Sequence, residues 1–258
     1  MLLEPLMFYG SWRPHGMQLD NFVTIYKALY REGFARPRDG VRTIINVLIG
    51  KLKDAGGELR LGDGVKEILV ENGRAAGVLT DNGERILAKN ILSSAGRIET
   101  NRLIPSLSSA DFNAGIRPGQ LSYSETIYVL NQTAKSLGID STIVFYNDGD
   151  RFRYESPDGL IDETSGVICC PGNYRYDEPL ATEPVRVTNL ASYSRWKALS
   201  AVEYPNAKST SAEIIRIDAE RHVPPFGPSV RFTDTFTPMQ VARYTGRING
   251  PCDGSPVK

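Results

Sequence analysis

The sequence predicts an α/β protein, α+β in part, on three observations. An amphipathic helix ending in a glycine pair runs into a series of short strands separated by tight-turn dipeptides. That series closes on an apolar segment, Ile91-Leu-Ser-Ser-Ala-Gly96, whose small residues suit the carboxyl end of a buried parallel strand beside a ligand. A later stretch carries β-branched strand patterns followed by helical ones, the order of a sheet roofed by helices.

Residues 39–96 organise the rest. Asp39 can cap a helix whose Ile44, Ile45, Leu48 and Leu52 share one face, and Ala55-Gly56-Gly57 can end it. Glu58 to Leu61 reads as a short strand. Val65 to Glu71, Arg74 to Thr80 and Glu84 to Ala88 read as three more, parted by Asn72-Gly73 and Asp81-Asn82-Gly83. Asn-Gly is a strong hairpin signal because a tight hairpin needs positive φ at both central residues. Two such turns make a meander, placed where most α/β crossovers would have only a helix.

Before this stretch, 9–14 reads as a turn-rich connector. Phe22, Ile25, Tyr26, Leu29 and Tyr30 then fall at helical spacing, an apolar stripe that suits ordinary core or the wall of a hydrophobic tunnel. After it, 97–109 is a helix-biased connection broken at Pro105. Strand patterns follow at 121–131, 141–146, 166–170 and 184–192, predicting a sheet of about four strands. Trp196 and Leu199 open a helical region that is interrupted near Tyr204-Pro205 and resumes over 209–220.

Composition excludes several classes. The 258 residues carry 30 basic and 30 acidic side chains, so charge suggests no nucleic-acid partner. No apolar run approaches the ~20 residues of a spanning helix. The start has no basic region and an acidic Glu4 within its apolar run, a poor signal peptide, so the default address is cytoplasmic. Three cysteines give no disulfide framework; the adjacent Cys169 and Cys170 lie in a buried-strand pattern. His15 and His222 have no cysteine or carboxylate at metal-ligand spacing and no nucleophile motif nearby, and His222 reads as a helix-end or surface residue.

The segments 33–41, 56–58, 65–68, 72–78, 81–83 and 92–96 together resemble the FAD-binding domain of amine-oxidase-like flavoproteins, and most closely their phytoene desaturase and carotenoid isomerase branch. Phe232 to Gly246 and Asn249 to Gly254 match the same family near its return to the cofactor domain. The resemblance implies a substrate-side helical segment at 1–38 and a partial FAD-binding, Rossmann-like domain with a meander crossover at 39–110. It further implies a substrate-binding domain at 111–230 and a return towards the FAD domain at 231–258. It implies cofactor contact at Val65 through the backbone and at Ser94, Ala95 and Gly96, with Arg38, Asp39 and Gly40 standing where relatives carry a glycine pair near the flavin. Plain strand packing explains Val65 and Ala95 equally well, and capping explains Asp39.

The Gly-x-Gly-x-x-Gly turn that such proteins use for the pyrophosphate is absent from the sequence. The expectation is therefore an internal piece of an FAD-dependent oxidoreductase acting on an apolar, polyene-like small molecule. No catalytic dyad is visible, since in such chemistry the cofactor carries the electrons. Two alternatives stand beside it, an inert binding module and an amine oxidase. Self-association through uncovered apolar surface and peripheral membrane contact are the further partners that this reading admits.

Overall fold

The structure is a computed structural model describing residues 6, 8, 17–33, 35–107, 118–119, 121–178, 180 and 182–251. The readings at 9–14, His15, Phe34 and Cys252 lie outside the described residues. The fold is mixed α/β and falls into two compact units. One draws on Met1–Ala35 and Gly119–Gly254, the other on Arg36–Pro118 and Ser255–Lys258.

In the first unit, α1 (Leu19–Lys27) continues into a π-helical turn over Ala28–Glu32. Its stripe is not core. Tyr26 and Tyr30 are exposed and Phe22, Ile25 and Leu29 half-buried, and the Phe22, Tyr26 and Tyr30 rings follow one another at 6.1 and 5.0 Å along the helix. Spacing specified a face, but its residues are at most half-buried.

The smaller unit begins with α2 (Val41–Asp54). Gly40, not Asp39, is its N-cap; the turn before it closes through a 2.8 Å bond from the Gly40 N–H to the Pro37 carbonyl, which leaves Asp39 inside that turn. Helix and glycine stop fall where the pattern put them, yet no α2 residue is buried. The meander follows as β1 (Val65–Glu71), β2 (Arg74–Thr80) and β3 (Arg85–Leu87), antiparallel and in that order across the sheet. Asn72 and Gly73 take φ of 50° and 75°, the positive pair that the hairpin demands. Then come a short α3 (Arg97–Arg102) and a 3-10 turn at Pro105–Leu107. The segments 58–61 and 91–96, expected as strands, are not strands. A strand exists through its ladder hydrogen bonds, and none of the described strands pairs with either segment; Leu92 is fully exposed.

The five-stranded sheet of the first unit is wholly antiparallel, in the order β5-β6-β7-β4-β8. Its strands are β4 (Ser122–Leu130), β5 (Ile143–Asn147), β6 (Ser165–Cys169), β7 (Glu183–Ala191) and β8 (Val230–Phe236). The four expected strands are present and β8 is the fifth. The described part of 231–258 thus supplies an edge strand to this sheet, followed by α6 (Pro238–Thr245). Helices α4 (Tyr193–Ala198) and α5 (Glu203–Ala219) fill the interruption read near Tyr204-Pro205. Pro205 sits in the first turn of α5, where its missing N–H leaves no intrahelical bond unmade. One sheet face is closed: Tyr128, Val185, Val187 and Ile168 form a buried core with Trp196, Ile215 and Phe226.

Candidate functional site

Each expected cofactor residue sits in a turn or at a strand end of the smaller unit. Val65 opens β1, the edge strand, and is 41% exposed. A bulge follows at once, since Val65 faces Thr80 while Glu67 faces Leu79, which leaves Lys66 as the extra residue. Bulges re-aim a strand end and recur beside binding sites. Farther along the same edge, the Ile68 N–H donates to the Leu103 carbonyl at 2.7 Å, so the chain after α3 covers the middle of β1, and among the described residues no strand pairs with the outer edge of its start.

Ser94, Ala95 and Gly96 form the turn that leads into α3. Ser93 Oγ and Thr100 Oγ1 lie 2.6 Å apart, and the Ala95 N–H reaches Ser93 Oγ at 3.4 Å. Gly96 has φ of 108°, a backbone conformation that favours glycine, and a Cβ there would stand 2.5 Å from the tip of the flexible Glu99 side chain. Arg38, Asp39 and Gly40 make the other helix entrance, with the Arg38 carbonyl accepting from Arg36 Nη1 at 3.3 Å.

A cleft of about 600 Å³ in the other unit lies between α5 and β8. Its charges are paired: Lys208 Nζ meets Asp234 Oδ1 at 2.6 Å, and Arg216 bonds to Glu213 and Glu220. Glu213 is held below its ordinary value by the Arg216 hydrogen bond, and Arg216 is raised in return, chiefly by Glu213. A cleft lined by neutralised pairs is a poor receptor for an apolar chain.

The sheet face away from α5 has the opposite character. Along β4 the closed side carries Ser122, Ser124, Thr126, Tyr128 and Leu130, all buried, while the half-exposed side carries Tyr123, Glu125, Ile127 and Val129. The more apolar half of the strand is thus the open one. Two ladder rows run across the sheet here, Ile143–Cys169–Arg186–Ile127–Asp234 and Phe145–Val167–Thr188–Glu125–Phe236, with Asp234 of the edge strand turned to Lys208 of α5. One end of it is covered by Leu121, Tyr154 and Leu190 with Phe8 and Phe152. At its centre Arg186 Nε donates to Glu125 Oε1 at 2.7 Å, and Nη2 bonds to the same oxygen. Sequence reasoning missed this pair. Period-two alternation puts each residue on the open side, but only the register brings the two strands' residues together.

His222 lies where its helix-end reading put it. Its N–H bonds to the Ala219 carbonyl at 2.9 Å, its ring stacks on Tyr146 at 4.5 Å, and Nε2 reaches Asp148 at 3.2 Å. Cys170 is buried in the closed-face core. Among the described residues no His, Cys, Asp and Glu cluster suits a metal ion, and no helix is long and apolar enough to cross a membrane.

No family model matches the chain. It is 28% identical over 236 residues to a chloroplastic prolycopene isomerase of Daucus carota, covering 84% of this chain and 35% of that protein. The corresponding protein of Arabidopsis thaliana is 25% identical over 226 residues, covering 84% and 37%. Prolycopene isomerase 2 of an Oncidium hybrid cultivar is 27% identical over 233 residues, covering 88% and 38%. The chain therefore spans a little over a third of the length of these relatives. Among solved structures, the PF1083 protein of Pyrococcus furiosus shares the fold at a TM-score of 0.55 and 16% identity, covering 91% of this chain and 53% of that one. An oxidoreductase from Methanosarcina mazei aligns at 0.49 and 16% identity over 77% of this chain and 42% of its own.

Proposed function

We propose that this chain supplies the substrate-binding sheet and part of the cofactor domain of an FAD-dependent oxidoreductase that acts on an apolar, polyene-like isoprenoid. The observation that carries the reading is the inverted polarity of β4. A strand that buries Ser122, Ser124 and Thr126 and leaves Tyr123, Ile127 and Val129 half open is arranged to meet an apolar ligand on its outer side. Similarity over 84% or more of the chain to proteins named prolycopene isomerase supports polyene chemistry in particular.

The residues fit part of the cofactor. The start of β1 at Val65 offers strand-edge backbone with which no described strand pairs; this suits a flat heteroaromatic group such as adenine, and the constrained turn at Gly96 permits close backbone approach. Ser94, Ala95 and the Arg38–Asp39–Gly40 entrance are further contacts in this reading. A diphosphate calls for the glycine turn that this sequence does not contain. When bound, FAD supplies the hydride acceptor or donor; the chain's own residues position the apolar substrate and exclude water from it. Delivery from a membrane surface is compatible with such a substrate.

The test is a visible spectrum after incubation with FAD and gel filtration. It is taken on this chain and on a protein joining it to the Gly-x-Gly-x-x-Gly half of a plant prolycopene isomerase. The chain alone is expected to elute nearly colourless and the joined protein yellow, with turnover of a cis-polyene. A joined protein that folds, stays colourless and still binds polyene would put an inert binding module in place of the enzyme.

A further inference from the structure

We infer that the aromatic cluster at one end of the open sheet face is an end stop for the apolar substrate, with Phe152 as the residue that sets where the chain halts. The inference rests on the proposed function in taking this face as the substrate platform, and it adds the device that fixes a ligand's register along the strands.

The stop is built by alternation. Val185 and Val187 of β7 belong to the closed-face core, so Leu190 turns to the other side, where it is fully buried in a cluster with Leu121 and Tyr154. In the chain after β5, Phe152 is half-buried and Tyr154 buried, while Arg153 between them is exposed, so two rings turn inward together. The Phe8, Phe152 and Tyr154 rings form a triangle, with centroid separations of 5.5 Å for Phe8–Phe152, 5.7 Å for Phe8–Tyr154 and 5.9 Å for Phe152–Tyr154. Three mutual ring contacts hold such a wall in place.

The wall differs from ordinary core in one respect. Tyr154 and Leu190 are 2% and 0% exposed, but Phe8 and Phe152 stay half-buried, which leaves ring surface for a ligand to meet. From Tyr123, which faces Leu190, the open side of β4 runs through Glu125 and Ile127 to Val129, which faces Pro184. That stretch of strand spans about 20 Å. A linear apolar chain laid along it buries more surface with each added unit until its leading end meets the rings. Forcing the end farther would overpack the cluster. Any additional length then projects past Val129 and gains nothing.

The experiment titrates this chain with a series of linear polyene hydrocarbons, from well below to well above about 20 Å long, read by quenching of intrinsic fluorescence. Affinity is expected to rise by up to about tenfold per added two-carbon unit and then to level off at one length. Phe152→Ala, which takes a ring off the wall, is expected to move the levelling point to a longer polyene. Phe152→Trp, which adds to the wall, is expected to move it to a shorter one. Both are checked by circular dichroism, and Phe152→Leu, with a shift in the same direction as alanine, takes its place if the alanine variant does not fold. Affinity that never levels off, a levelling point that stays put in every variant, or affinity lowered equally at all lengths overturns the inference alone. Failure of every polyene to bind overturns it together with the proposed function.

Discussion

The Tyr128 hydroxyl donates a 2.5 Å hydrogen bond to the carbonyl of Ala212, tying β4 to α5 at the floor of the closed face. Tyr128 is 1% exposed, and its ring packs on Phe226 at 5.3 Å, so the bond is made by a buried side chain. Removing the hydroxyl alone, in Tyr128→Phe, is expected to cost about 1 kcal/mol. The matching readout is a lower urea midpoint with an unchanged denaturant slope.

The same burial makes stability sensitive to alkali. Desolvation pushes the Tyr128 and Tyr146 phenols well above their ordinary value of 10.0. The folded chain thus keeps protons that the unfolded chain releases above that value. The stabilisation is complete below about pH 10 and is lost as pH rises further. Urea midpoints taken between about pH 8 and pH 11 should fall more steeply above pH 10 for the unaltered chain than for Tyr128→Phe. Parallel curves would mean that the phenol ionises without opposing the fold.

Gly166 is expected to be intolerant of even one methyl group. A Cβ there would stand 2.6 Å from the Tyr146 hydroxyl and 2.8 Å from Asn189 Nδ2, two groups that hydrogen-bond each other at 2.8 Å. Asn189 Nδ2 also donates to the Ser165 and Asp162 carbonyls, so it has no room to retreat. Gly166→Ala should cost about 1–3 kcal/mol, read as a lower thermal midpoint. Adding Tyr146→Phe, which removes one clashing atom, should recover part of that loss.

Legibility in the sequence followed how local each constraint was. β1 and β2 have the bounds read from the sequence because the Asn72-Gly73 turn fixes both their ends within a few residues. β8 went unread because Val230-Arg-Phe-Thr-Asp-Thr-Phe236 is too polar to announce a strand. Its partner β4 is remote, and the Thr126 and Thr235 hydroxyls that meet at 3.0 Å are about a hundred residues apart. The strand expected at 91–96 carries the right residues, but strand formation needs a neighbour, and composition cannot supply one. For the site, small residues marked the turns at Gly40 and Gly96. The Glu125–Arg186 pair is a product of register, which no single segment encodes.

Asp218 is a buried carboxylate only half satisfied. Its Oδ1 takes a 2.8 Å ion pair from Arg221, while Oδ2 is buried with no hydrogen-bond partner. Desolvation raises its pKa above the ordinary 3.8, and the Arg221 charge opposes this only in part. With the folded value raised, this group favours folding below the ordinary value and loses that contribution as pH rises through the folded one. Asp218→Asn removes the charge that burial penalises. It is expected to raise stability at neutral pH by up to about 1 kcal/mol, an advantage that disappears in acid, where the aspartate is protonated in both states. A variant less stable than the parent at neutral pH would show that the Arg221 pair outweighs desolvation.

The apolar stripe of α2 yields the last prediction, because it separates local stability from association. Ile44 and Leu48 are 50% and 60% exposed, and α2 contributes no buried residue, so neither side chain contributes to the core of its unit. Lysine is a good helix former, so Ile44→Lys/Leu48→Lys should keep α2 intact and move stability by no more than about 0.5 kcal/mol. Exposed apolar surface of this kind draws copies of a chain together. Sedimentation velocity is therefore expected to show association by the parent chain that shifts towards monomer in the double variant. A thermal midpoint lowered by about 5 °C or more would refute the premise, since only a face buried in the folded chain can cost that much when made polar.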